Sequence, residues 1–235
     1  MERRKNRRDP NFNTPQRVPP PPPKLSDYEP IIGKPELDEL WYLARALRGK
    51  SVKMVNSTAV GGGVAEILNA LIPMLNELEV HTKWEVITGG NDFFEVTKGF
   101  HNALHGGEYH VTKEILDIFM AYNEQNRQRM EFTEDLFLIH DPQPVGLIRS
   151  KGNTRGKWMW RCHIDLSNPH PDVWAFLRPM VEQYDAAVFS SPAFSRQLGI
   201  PQYLFFPCID PLSEKNKDLD DASGPSSRRY HALTD

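Results

Sequence analysis

Three polar clusters in this chain hold residue types that do chemistry, and each follows a run that reads as a strand. The first is Gly61-Gly62-Gly63, behind the apolar, partly β-branched run of Val52, Met54 and Val55. The second is His140-Asp141-Pro142-Gln143-Pro144, behind Leu136 to Ile139, and the third is Arg161-Cys162-His163-Ile164-Asp165, behind Trp158 to Trp160. Glycines without a Cβ let a ligand approach the backbone. Two prolines are expected to hold the second loop extended, so that Asp141 is presented rigidly. Any one cluster could be a strand end with polar punctuation, but ligands of open α/β sheets sit outside the carboxyl ends of the strands. Three clusters at equivalent edges favour a polyol or sugar site.

Other chemistries fit less well. A dinucleotide fingerprint needs a third glycine where Glu66 stands, and a buried carboxylate there would repel a pyrophosphate. Gly49-Lys50-Ser51 has the ending of a phosphate-binding loop, but Ala44 replaces its first glycine and the tripeptide precedes the strand. A nucleotide-binding oxidoreductase is therefore disfavoured, and a plain strand-to-helix turn stays open as a reading of the glycines. His101 and His105 stand at i and i+4, a zinc-compatible spacing, but Asn102 replaces the glutamate of a metalloprotease motif and no third ligand is evident. Neighbours on a strand point to opposite faces, which separates the Cys162 thiol from His163 and favours a buried structural cysteine. Asp220-Asp221 lies in a polar tail and makes no credible metal pair.

The elements that must position these residues alternate. Val64, Ile67, Leu68, Leu71, Ile72, Leu75 and Leu78 recur at helical spacing after the glycines, which predicts a helix with an open N-terminus. Free N–H groups there suit an anion or a sugar hydroxyl. Further helices are predicted after Pro35, over Phe93 to Leu104, over Thr112 to Met130, and over Asp172 to Tyr184, with a short one after Pro192. Strands are predicted over Trp84 to Thr88, Leu136 to Ile139, Lys157 to Cys162, Ala186 to Phe189 and Tyr203 to Phe206. The fold class is therefore α/β, a doubly wound parallel sheet.

Composition bounds the rest. The chain has 235 residues and a net charge of −3. Residues 2–8 hold five positive charges and one negative, so the remainder is mildly acidic, which argues against a nucleic-acid-binding domain. Residues 1–24 end in Pro19 to Pro23 and read as a disordered basic, proline-rich leader. No leader peptide or long uncharged apolar stretch marks secretion or a membrane span, and two cysteines, Cys162 and Cys208, allow at most one bridge. A cytoplasmic protein with reduced thiols is expected.

The strings VNSTAVGGGVAEILNALIPMLNEL, FFEVTKGFHNALHG, HDPQPVGLI, WMWRCHIDLS and FPCIDPLSEKN, in this order, resemble the N-terminal domain of the glycosyltransferring trehalose synthases, relatives of the trehalose phosphorylases. The resemblance covers about Leu25 to Asn216. It implies a retaining GT-B enzyme, GT4-like, in which two Rossmann-like domains flank a cleft. The N-terminal domain holds the acceptor glucose and the C-terminal one the nucleotide-sugar donor. By the same resemblance Gly62 and Gly63 lie near the donor phosphates and transferred sugar, Asp141 accepts from an acceptor hydroxyl, and Lys98 and Asn102 add acceptor contacts. His163 lies beside the reacting sugar, where its carbonyl and ring stabilise charge at the anomeric carbon. No tightly bound cofactor is implied; a nucleotide-diphosphate glucose is the co-substrate.

The domain limits expected on this basis are 25–213 for the acceptor-side domain and 214–235 for a polar tail, the truncated start of a donor domain. The partners would be glucose, trehalose and a separate donor domain, and the chain alone would be inactive. A non-catalytic sugar-binding or regulatory module is the alternative.

Overall fold

The computed structural model describes residues 22–216, so the disordered leader expected over 1–24 falls outside the description except at its last three residues, and most of the polar tail lies beyond it. Six strands run through the described chain: β1 (Ser51–Asn56), β2 (His81–Val86), β3 (Leu136–His140), β4 (Lys157–Arg161), β5 (Ala186–Phe189) and β6 (Gln202–Leu204). They form one sheet of order β2-β1-β3-β4-β5-β6, with every neighbouring pair parallel. The expected doubly wound α/β fold is present. After β2 the chain crosses to the far side of β1, so the strand order reverses between β1 and β3. Side loops part at that point, and a crevice opens outside the carboxyl ends.

Helices cover both faces because the strands carry apolar side chains on both. Val52 and Met54 of β1 join Leu68 in a core beneath α1 (Leu25–Ile32), α2 (Lys34–Ala44) and α3 (Gly63–Glu77). Val55, Phe137, Ile139, Trp158 and Trp160 point the other way, into a core shared with α4 (Asn91–Leu104), α5 (Lys113–Arg129) and α6 (Pro171–Val181). Lys53 is buried within this alternation. Its ammonium is held by Glu85 at 3.0 Å, by Glu134 at 3.6 Å and by the Glu131 carbonyl, which compensates its desolvation.

Local chemistry fixes the boundaries. The Thr112 hydroxyl accepts from the Ile115 N–H at 3.3 Å and starts α5, while Pro171 opens α6 at a position where its missing N–H costs nothing. The helix expected after Pro35 begins one residue earlier, with the proline in its first turn. A further helix, α1, precedes it; Pro30 and only two buried side chains, Leu25 and Tyr28, hid it in the sequence. The second strand begins at His81, before the expected Trp84, because His81 and Lys83 face solvent on an edge strand and mask its periodicity. Beyond β6, Phe205, Phe206 and Ile209 are at least 70% exposed.

Candidate functional site

The glycine turn, Asp141 and His163 all lie at the carboxyl edge of the sheet, after β1, β3 and β4 respectively. At the end of β1 the Asn56 side chain accepts from Trp84 Nε1 at 2.8 Å and donates to the Thr58 carbonyl at 2.8 Å, turning the chain out of the sheet. Gly61 and Gly62 then take φ of +73° and +85°, the left-handed region that a side chain would strain. A Cβ on Gly61, Gly62 or Gly63 would meet nothing within 4 Å, so the backbone at the start of α3 is open to a ligand. Glu66 is exposed, contrary to the buried carboxylate expected from the sequence: the first turn of α3 faces outward there, and Lys215 pairs with it at 2.5 Å.

A groove of about 410 Å³ occupies the switch point, lined by Ser57 and Thr58 after β1, by Gln143 after β3, and by Phe94, Thr97, Lys98 and His101 along one face of α4. Its volume suits a small ligand, and its hydroxyl, amide, ammonium and imidazole groups suit a polyhydroxylated one. Gln143 lines the groove while its Oε1 is turned inward, buried and without a hydrogen-bond partner. Lys98 lines this groove. Asn102 does not: its side chain is exposed and outside the groove, and its carbonyl accepts from the His105 and Gly107 N–H groups. One residue of helix rotation, about 100°, separates it from His101, which does line the groove.

The Asp141 loop departs from the extended form expected of its prolines. Val145 N–H donates to the Pro142 carbonyl at 3.2 Å and Leu147 N–H to the Pro144 carbonyl at 3.0 Å, so the chain turns at once into a 3₁₀ run over Val145–Asn153. Rigidity comes from hydrogen bonds. Asp141 N–H donates to the Arg161 carbonyl at 2.8 Å, Trp160 Nε1–H donates to the Asp141 carbonyl at 2.9 Å, and the Asp141 carboxylate accepts the His163 N–H at 2.7 Å. Asp141 adopts φ of +64°, a conformation short polar side chains tolerate better than most. Burial pushes its carboxyl up to about 7, against the opposing pull of the His163 N–H and Arg161.

Behind this loop, Asn123 of α5 donates to the Gln143 carbonyl at 3.0 Å and accepts the Gly146 N–H at 3.1 Å. Asn123→Ala should leave both groups buried and unpaired and lower stability by about 2–4 kcal/mol. Urea unfolding checks this, and a loss below about 0.5 kcal/mol would show that the amide is not the brace.

His163 packs against His140, rings stacked at 17° with Nδ1 of His140 3.0 Å from Nε2 of His163. Burial drives both below the usual histidine range, to about 3 for His140 and about 4 for His163. The Cys162 thiol is buried, bonded to the Ile164 carbonyl and pushed well up by burial, which suits a structural thiol. His101 and His105 meet edge to face with 4.9 Å between ring centroids, but no group of three or more His, Cys, Asp or Glu fit to hold a metal occurs among the described residues. Within those residues no helix is long and apolar enough to cross a membrane.

Gln143, Ser57, Thr58, Thr97 and His140 were not singled out as ligand-binding or site-shaping residues from the sequence. The loop string around Asp141 already contained two of them, and only the reversal of strand order brings Ser57 and Thr58 opposite. Fold and groove together define the class: a Rossmann-like α/β domain with an open polar groove at its switch point. Over residues 54–196 the chain matches the family described as trehalose synthase, N-terminal domain, and it belongs to that family. It is 44% identical over 200 residues to the trehalose synthase of Pyrococcus horikoshii, an alignment spanning 83% of this chain and 48% of that protein. It is 30% identical to the trehalose phosphorylase of Pleurotus sajor-caju, over 86% of this chain and 30% of the other. Among solved structures, the α,α-trehalose 6-phosphate synthase of Burkholderia multivorans superposes with a TM-score of 0.44 and 16% identity, covering 63% of this chain and 41% of that one. The chain spans about half the length of the trehalose synthases it matches.

Proposed function

We propose that this domain is the acceptor-binding half of a retaining GT-B glycosyltransferase that joins glucose from a nucleotide-diphosphate glucose to a second glucose, giving trehalose. The observation that carries the proposal is the groove at the switch point, where Lys98, His101 and Gln143 stand beside the hydroxyl groups of Ser57, Thr58 and Thr97. Membership of the trehalose synthase N-terminal family supports the choice of glucose as the sugar. In this reading Lys98, His101, Gln143 and Asp141 hold the acceptor, while Gly62 and Gly63 leave room for the donor's phosphates at the open start of α3. His163 stands near the sugar undergoing transfer. Positive charge develops there at the anomeric carbon, and the fixed dipole of the His163 backbone carbonyl stabilises it without reorganising. The donor half belongs to the additional length of the relatives, and the exposed Phe205, Phe206 and Ile209 offer it an apolar surface.

NMR titration of the chain with glucose and trehalose tests the acceptor reading. Affinity should be about millimolar, near −4 kcal/mol, because half a cleft leaves the ligand exposed. Gln143→Ala and Lys98→Ala should each weaken binding by roughly tenfold, the size of one lost polar contact. Shifts that avoid the residues around Gln143 and Asp141 would overturn the reading.

A further inference from the structure

We propose that His140 is a positioning residue that holds His163 in its Nδ1–H tautomer, so that the ring presents an N–H donor to a ligand. The two stacked rings share one hydrogen bond, 3.0 Å between Nδ1 of His140 and Nε2 of His163. One ring must donate and the other accept, which leaves two arrangements. They differ at the far nitrogen of His140, because Nε2 there is buried and has no partner. If His163 donates, His140 carries its proton on Nε2, and an N–H is orphaned in the protein interior. If His140 donates from Nδ1, the orphan is a bare lone pair. An unpartnered buried N–H is the rarer and costlier defect, so the second arrangement wins.

Both rings are neutral at physiological pH, since burial holds their titration well below it. Each therefore carries a single proton. With Nε2 of His163 accepting, its proton sits on Nδ1, and among the described residues no hydrogen bond engages that atom. The ring is half-buried at the carboxyl edge of β4, next to the Asp141 carboxylate that grips its own backbone N–H. An Nδ1–H there donates to a sugar oxygen. This last step rests on the proposed sugar site; the tautomer does not.

Long-range ¹H–¹⁵N correlation spectra of the ¹⁵N-histidine-labelled 235-residue chain read the tautomer directly. His163→Gln assigns the signals. The expected result is a protonated-type Nδ1 and an unprotonated-type Nε2 for His163; the reverse pattern overturns the proposal in the wild-type chain, without recourse to any variant. His140→Asn places an amide donor near the former Nδ1 and should preserve the pattern. His140→Leu removes the donor and should shift His163 toward the Nε2–H form, with trehalose binding weakened about tenfold and restored to within about twofold by the asparagine. A His163 tautomer unchanged in His140→Leu would also overturn the proposal. Should the wild-type tautomer be as expected while trehalose fails to bind, the positioning of His163 stands and the acceptor-site reading falls.

Discussion

Purified alone, the 235-residue chain should form no measurable trehalose from a nucleotide-diphosphate glucose and glucose, while still binding either sugar at about millimolar concentration. Transfer requires cations to neutralise the leaving diphosphate and fixed dipoles around an oxocarbenium-like sugar. In the proposed reading the described domain offers the second, and Lys215, which reaches the start of α3, is already paired with Glu66 at 2.5 Å. Removing a single preorganised electrostatic contact costs about 10²–10³ in rate, and a missing set of phosphate-binding cations multiplies that loss. Turnover of the nucleotide sugar by the chain alone, followed as nucleotide release coupled to trehalose formation, would overturn the half-enzyme reading. Sugar binding without turnover, even when the C-terminal half of a relative is added, would favour a sugar-binding module instead.

The parallel sheet was legible in the sequence because its inner strands are short and apolar on both faces, as in Leu136–His140 and Ala186–Phe189. The edge strand β2 blurred, since an edge answers to solvent as well as to the core, and α1 was lost because Pro30 and only two buried side chains leave it little apolar stripe. Clusters of polar residues after strands marked the carboxyl edge correctly, for parallel strands must bring all such ends together. What the clusters could not reveal was which of them face each other. That depends on the reversal of strand order between β1 and β3, which places Ser57 and Thr58 opposite Gln143. Helical phase likewise separates His101 from Asn102, although the two adjoin in sequence. The coupling of His140 to His163 spans 23 positions and two strands, and no spacing rule reports it.

Asp141→Asn should make the domain more stable than wild type at pH 8 by about 2–3 kcal/mol, and equally stable below about pH 4. The carboxyl titrates at about 7 in the folded chain and near 3.9 when unfolded. Below the lower value it is protonated in both states and contributes nothing to the difference. As pH rises from about 4 to 7 the unfolded chain ionises first, so the folded state binds the extra proton and loses stability, up to a ceiling of about 4 kcal/mol. Partial exposure of Asp141 reduces that ceiling. The histidine pair acts in the opposite sense: with folded values of about 3 and 4, it contributes stability above about 6.5 that is lost as pH falls toward those values. Two histidines outweigh one carboxylate between about pH 4 and 6.5, so these three groups place the wild-type optimum near the top of that window. In Asp141→Asn the falling limb above it disappears. Asparagine keeps an oxygen for the His163 N–H, so the loop geometry survives the exchange. Every other titrating group is common to both proteins, and their difference in urea midpoint across pH isolates this carboxyl. Identical profiles from pH 4 to 8 would show that Asp141 is not held at a desolvated position. Sugar affinity measured on the same samples should separate the two proteins at pH 8, where wild type offers a carboxylate, and converge toward pH 6, where it offers a neutral acid.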